Sequence, residues 1–128
     1  MDSITGDNVT NLLQSYLDVQ TRRSQVIAGN IANTDTPGYT AKELDFSDYL
    51  KQAVQQSTLP LSKQNSQSPT AQMRVVEQTP TVIGIDGNTV DPAKEMADLA
   101  EAGSNFNFGA KMLQSRLRLL RTAIREGK

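Results

Sequence analysis

The strongest constraint on this chain is a heptad repeat of apolar residues that runs through its last third. Spacings that alternate between three and four residues keep such positions on one helix face, as in a coiled-coil seam. Asp91 and Pro92 supply an N-cap and a first-turn proline, so we predict one helix over 92–128, about 50 Å long. Gly103 and Gly109 would let another helix approach closely. The predicted seam consists of Met96, Leu99, Gly103, Phe106, Ala110, Leu113, Leu117, Leu120 and Ile124.

A second amphipathic helix is predicted near the N-terminus, capped by Asp7 or Asn8 and ending inside the segment 1–33. Its apolar residues form a stripe at heptad spacing and a second stripe beside it. Arg23 and Asn30 interrupt the seam, and polar residues at such positions can fix its register. A face this wide predicts contact with more than one neighbour, with an ordinary bundle helix as the alternative. The two stripes are Leu12, Val19 and Val26, and Leu13, Leu17, Ile27 and Ile31.

These patterns predict a mainly α fold in which the two long helices pair as an antiparallel coiled-coil unit. The middle segment 34–91 is predicted to be extended and largely irregular, because residues 55–81 are rich in Gln, Ser and Thr and cannot bury enough surface to offset their ordering entropy. We expect three short elements in it: one or two helical turns within 40–56, a strand at 73–77, and a β-hairpin over 81–91 around an Asp-Gly turn.

Composition excludes several classes of function. The 128 residues form one domain or one extended assembly unit, and with 37% apolar and 5% aromatic residues they favour partners that cover apolar faces. The chain has no cysteine and no histidine, so we predict no thiol chemistry, no metal site and no cofactor. A net charge of −1 argues against a strongly basic nucleic-acid-binding protein. No leader sequence or membrane span is evident, which predicts a cytoplasmic protein or one exported without a cleaved signal.

The stretch NIANTDTPGY combines signals that stop a helix and redirect the chain. Asn33 is predicted to end the helix in the left-handed conformation, and the short side chain of Thr34 competes with helix continuation. Pro37 and Gly38 form a turn dipeptide of type II character, and Tyr39 can anchor the redirected chain. Taken alone, such a stop and turn fits any helical protein. The signature-loop residues are Asn30, Asn33, Thr34, Pro37, Gly38 and Tyr39.

Continued as NIANTDTPGYTAKELDF, the stretch resembles the signature of bacterial flagellar rod and axial proteins, and IDGNTVDPAKEMADLA is similar to the same family. The resemblance implies that the terminal helices associate in a coiled-coil domain lining the axial tube. It implies a structural component of the basal-body rod that polymerises at the proximal end of the drive shaft and serves flagellum-dependent motility. It also implies export by the flagellar type III apparatus without a cleaved signal, and a final location in the periplasmic space.

The implied partners are copies of the chain, other flagellar rod proteins, the rod–MS-ring junction protein FliE, the MS ring and the type III export gate. No nucleic acid and no small-molecule substrate is implied. A cytoplasmic helical adaptor or export chaperone with a coiled-coil interface is the alternative. An enzyme is a third class, but Asp35, Asp45 and Asp48 have no histidine, cysteine or glycine-rich phosphate loop near them, so we expect no catalytic residue.

Overall fold

Two long helices and a small middle layer make up the fold. The computed structural model describes residues 2–59 and 72–127. Within these ranges the elements are α1 (Asp2–Ala32), β1 (Lys42–Asp45), α2 (Ser47–Thr58), β2 (Arg74–Glu77) and α3 (Pro92–Glu126). The prediction of a mainly α fold is confirmed. The described part of the chain contains no helix with a stretch apolar and long enough to span a lipid bilayer.

α1 and α3 pack against each other in antiparallel orientation, as predicted. The guanidinium of Arg23 lies 3.3 Å from the carboxylate of Glu101, while Tyr16 and Leu17 lie beside Gly109. Residues nearer the start of α1 contact residues nearer the end of α3. This arrangement places the beginning of each long helix near the end of the other.

The sequence signals for the ends of these helices were partly correct. The side chain of Asp91 accepts a hydrogen bond from the Lys94 backbone N–H at 3.3 Å, which confirms the predicted cap of α3. α1 stops at Ala32, close to the predicted position, but it begins at Asp2 instead of at Asp7 or Asn8. The residues before that predicted cap contain no proline, and one glycine costs a helix only about 1 kcal/mol, so the helix continues through them.

β1 and β2 form a two-stranded antiparallel sheet. Lys42 lies opposite Glu77 and Asp45 lies opposite Arg74. The predicted strand at 73–77 is confirmed, although its partner comes from the segment after the signature loop. The pairing therefore joins two parts of the middle segment that are about thirty residues apart.

The predicted β-hairpin over 81–91 is wrong. The turn itself is present, with Gly87 at a φ of 83° and its N–H bonded to the Gly84 carbonyl at 2.9 Å. No strand flanks it, because the backbone after the turn bonds to the signature loop: Thr89 N–H donates to the Tyr39 carbonyl at 3.0 Å. A tertiary contact thus replaces the local strand pairing.

The hydrophobic core lies between α1, β1 and α2. Val19, Leu44 and Tyr49 are buried together, and Val26 and Phe46 are among the partly buried side chains around them. α2 continues to Thr58, so the predicted irregular stretch 55–81 begins later than expected. Glutamine is a good helix former, which accounts for the extra turn. The part of that prediction that concerns residues 60–71 lies outside the described residues.

Candidate assembly site

Asn88 fastens the loop before α3 to the signature loop. Its buried side chain donates from Nδ2 to the carbonyl oxygens of Asn33, Thr34 and Thr36 at 2.9, 2.9 and 2.8 Å. Its Oδ1 accepts from the Val90 N–H at 2.8 Å. Because the Nδ2 group has two hydrogens and contacts three acceptors, at least one hydrogen is shared between two carbonyl oxygens. One side chain therefore holds together segments more than fifty residues apart in the chain.

Asn30 fastens the end of α1 to the first strand. It is fully buried, donates from Nδ2 to the Lys42 carbonyl at 2.7 Å and accepts from the Lys42 N–H at 2.9 Å on Oδ1. The same oxygen accepts from the Tyr39 hydroxyl at 3.1 Å. The amide thus bonds to one residue of β1 as a neighbouring strand would. Asn30 and Tyr39 together set the path on which the chain leaves α1.

Gly38, and not Asn33, supplies the left-handed residue of the signature loop. Gly38 has a φ of 73°, whereas no non-glycine residue in the described ranges has a positive φ. The Gly38 N–H donates to the Asp86 carbonyl at 3.0 Å, so this turn also contacts the loop before α3. Asn33 instead bonds back to the helix through Nδ2, which donates to the Gly29 carbonyl at 2.8 Å. Pro37 is exposed.

The inward face of α3 is displaced by one residue from the predicted seam. The buried residues of α3 are Glu95, Ala102 and Gly109, which repeat every seven residues. Of the seam residues directly after them, Met96 is 61% exposed, Gly103 is exposed and Ala110 is partly buried. Leu117, further along the seam, is 48% exposed. The remaining members of the seam are either partly buried or exposed: Leu99, Leu113 and Leu120 are partly buried, and Phe106 and Ile124 are exposed.

On α1, the heptad stripe faces the middle layer. Val19 is fully buried in the cluster with Leu44 and Tyr49, and Val26 packs against that cluster. Leu12 is partly buried. The second predicted stripe contributes to the contact with α3, where Leu17 lies beside Gly109. α1 therefore has two covered faces, as its wide apolar surface predicted.

The contact between α1 and α3 contains small and polar groups, whereas large apolar side chains of α3 are exposed. Glu95 is fully buried, and its Oε1 accepts from Gln78 Nε2 at 3.1 Å. Its Oε2 has no hydrogen-bond partner among the described residues, and neither do the buried Gln20 Oε1 and Arg116 Nε. Unsatisfied buried polar atoms cost roughly 1–3 kcal/mol each, so these three groups lower the stability of the isolated chain.

Charge changes sign along α3. Acidic residues dominate its beginning and basic residues its last half. Lys94 lies 2.9 Å from Asp98, and the hydrogen bond to that carboxylate raises the pKa of Lys94. The late basic residues are Lys111, Arg116, Arg118, Arg121 and Arg125.

Sequence reasoning missed the roles of Asn88 and Glu95. Asn88 follows the Asp-Gly turn, and nothing local indicates that its amide contacts a loop near residue 34. Glu95 lies in the first turn of α3, where the helix dipole favours an acidic residue, and nothing local indicates that it is buried. The groups brought together are amides, carbonyls and apolar side chains, which position chain segments and cover surfaces. Within residues 2–59 and 72–127, no cluster of three acidic, histidine or cysteine side chains has metal-binding geometry.

Comparison with known proteins gives consistent matches over nearly the whole chain. A family model described as flagella basal body rod protein matches residues 17–40. The chain is 28% identical over 134 aligned positions to the flagellar basal body rod protein FlgB of Escherichia coli K12, covering 94% of this chain and 96% of the relative. FlgB of Aeromonas hydrophila is 28% identical over 131 positions, covering 96% and 97%. FlgB of Cereibacter sphaeroides is 31% identical over 106 positions, covering 80% and 83%.

Proposed function

The chain belongs to the FlgB family of flagellar basal body rod proteins and is a structural component of the rod. We propose that it polymerises at the proximal end of the drive shaft through the outer face of α3. The family is structural and serves motility. Its members assemble with other rod components, so the alternative of a cytoplasmic adaptor or export chaperone is not favoured.

The outer face of α3 carries this proposal. We define it as the exposed stripe of Met96, Gly103, Phe106, Leu117 and Ile124. A methyl group added at Gly103 would meet no atom within 4 Å, so a neighbouring helix has room to approach there. Burying one large apolar side chain contributes about 1.5–3 kcal/mol. A neighbour on this face would therefore bury apolar side chains that the isolated chain leaves exposed.

The residues assigned to the assembly divide into two groups. The proposed seam comprises Leu12, Val19, Val26, Met96, Leu99, Phe106, Leu113, Leu117, Leu120 and Ile124. The seam residues on α1 pack against the middle layer, and those on α3 contact neighbouring subunits. The signature loop of Asn30, Asn33, Thr34, Pro37, Gly38 and Tyr39 directs the chain away from the helices.

The partners we propose are copies of the chain, other rod proteins, the junction protein FliE, the MS ring and the type III export gate. The chain would reach the periplasmic part of the basal body without a cleaved signal. Membership in a rod protein family supports this route and these neighbours. We also propose that the chain has no catalytic activity, because its relatives are structural parts and its distinctive contacts connect backbone segments.

Leu117→Asp tests the proposal. Leu117 is 48% exposed, so the substitution leaves the isolated fold intact. In an assembled seam it would bury a charge and remove an apolar contact, which together cost roughly 3 kcal/mol or more. We expect the variant to be exported but absent from purified hook–basal bodies, as measured by mass spectrometry, and the cells to be non-motile.

Ser115→Asp is the matched control, since it adds the same charge at an exposed polar position two residues away. It should incorporate normally. Normal incorporation and motility of the Leu117 variant would refute the proposed seam. Absence of the unmodified chain from basal bodies would refute its placement in the rod.

A further inference from the structure

Among the residues that the structure describes, no strand pairs with the outer edge of β2. In an antiparallel pair, the backbone N–H and C=O groups of successive residues alternate between bonding to the partner strand and pointing away from it. Gln78 N–H bonds to the Ala41 carbonyl at 2.8 Å, which sets this alternation. The N–H and C=O groups of Val75 and Glu77 therefore point away from β1, and no hydrogen bond between described residues occupies them.

The two edges of the sheet differ in their protection. On β1, the outward N–H and C=O of Lys42 are both bonded to the side chain of Asn30. On β2, all four residues are exposed, including Val75 and Val76. An open edge with apolar side chains is a template for another strand. Within the described ranges, the fold thus covers part of the β1 edge and leaves the β2 edge open.

A strand-forming segment that pairs with no described strand follows β2 in the same chain. Thr81, Val82 and Ile83 are β-branched residues that favour strands. All three are exposed, and their backbone groups make no hydrogen bond to other described residues. The segment ends at Gly84, whose N–H bonds to the Asn88 carbonyl at 2.8 Å. That bond belongs to the loop held by the signature segment, so the position of 81–83 is set while its backbone bonds to no described residue.

We infer that residues 81–83 of one copy add to the open edge of β2 in a second copy as an antiparallel strand. If Ile83 lies opposite Val75, then Thr81 lies opposite Glu77. The N–H and C=O groups of these four residues would then form the bonds across the pair. The inference rests on the proposal that copies of the chain meet in the rod.

The residues around this segment fit that register. Pro80 has no N–H, and in this alternation its backbone nitrogen points away from β2. The Gly84 N–H, which is already bonded, also points away. Val82 would face Val76, giving a second cross-strand pair of β-branched residues beside Ile83 and Val75; such pairs contribute roughly 0.2–1 kcal/mol each.

A second copy fits the edge better than the same chain does. The three residues between β2 and Thr81 could close a hairpin. Within one chain that pairing is not formed, because the bond from Gly38 N–H to the Asp86 carbonyl holds the loop after residue 83 against the signature segment. Each copy would offer one open edge and one unpaired segment. Such head-to-tail contacts leave an edge free at the end of the chain of subunits, so they extend an assembly instead of closing a dimer.

Disulfide cross-linking tests the pairing, because the chain has no cysteine of its own. The double variant Val75→Cys/Ile83→Cys should form dimers and larger cross-linked species in purified basal bodies under mild oxidation. The control Val76→Cys/Ile83→Cys places the two thiols on opposite faces of the strands and should not cross-link. Each single variant should remain monomeric.

The outcomes separate this inference from the proposed function. Dimers of Val75→Cys alone would show that two β2 edges pair with each other, which overturns the inference. Basal bodies that contain the double variant without cross-links also overturn it and leave the rod assignment intact. If the double variant fails to incorporate, Val75→Pro decides: it removes one outward N–H but no bond to β1, so its incorporation should fall relative to Val75→Thr, and equal incorporation refutes the pairing.

Discussion

Replacing Asn88 with alanine should destabilise the chain by about 3 kcal/mol. The buried Val90 N–H loses its acceptor, and the Thr34 carbonyl loses its donor. Unsatisfied buried groups cost roughly 1–3 kcal/mol each. The Asn33 and Thr36 carbonyls add less to the loss, because each still accepts from a backbone N–H in the signature loop.

Asn88→Asp is the matched variant, since it has nearly the same shape and keeps an acceptor for the Val90 N–H. It places a carboxylate oxygen against the carbonyls of Asn33, Thr34 and Thr36, where Nδ2 donated before. A buried carboxylate is repelled by the partial negative charge on the carbonyl oxygens and has lost its hydration, so the aspartate variant should be less stable than the alanine variant at neutral pH. The difference should shrink as the pH falls, because a protonated carboxyl can donate.

Urea denaturation followed by circular dichroism measures both variants. A loss of about 3 kcal/mol lowers the urea midpoint by about 1–3 M for a small protein. Hydrogen exchange of the signature-loop amides would show whether the loss of stability is confined to the contact between Asn88 and the signature loop. Losses within ~0.5 kcal/mol of the unmodified chain, or an aspartate variant more stable than the alanine variant at neutral pH, would refute the reasoning.

Gly103→Ala should raise the free energy of unfolding by roughly 1 kcal/mol, because the new methyl group meets open space and alanine favours a helix. Gly109→Ala should lack this gain or lower stability, since its methyl group would lie 2.9 Å from Tyr16 Cδ1; equal effects in urea denaturation would contradict the helix pairing. The hydrogen bond from the Ser47 hydroxyl lowers the pKa of Asp45 below its ordinary 3.8, so Ser47→Ala should raise that pKa in a carboxyl NMR titration. The linked stability is present above pH 3.8 and is lost as the pH falls through the lowered pKa; an unchanged pKa in the variant would exclude this cause.

Sequence reasoning was most accurate where a structure depends on neighbouring residues. The start of α3 follows from Asp91 and Pro92, and the turn after α1 follows from Pro37 and Gly38. These signals act through local hydrogen bonds and fixed backbone angles, so they can be read without knowledge of the fold. The family signature lies in the same local stretches.

Tertiary structure decided which faces meet. Hydrophobic periodicity predicted a seam that includes Met96 and Leu117 without deciding what that seam contacts, and in the fold these two are exposed while Ala102 and Gly109 are buried. β1 and α2 cover the large side chains of the α1 heptad stripe, and small residues let α3 approach beside them. The competition among elements for one helix surface cannot be read from the repeat alone.

The sequence by itself determined that two long helices flank a signature loop, because caps, turns and heptads are local or periodic. Only the tertiary structure placed Asn88 against carbonyls more than fifty residues away and paired β1 with β2 instead of forming a local hairpin. Those contacts join distant segments. A buried amide or a strand pair therefore stabilises the chain only once the fold has brought its partners together.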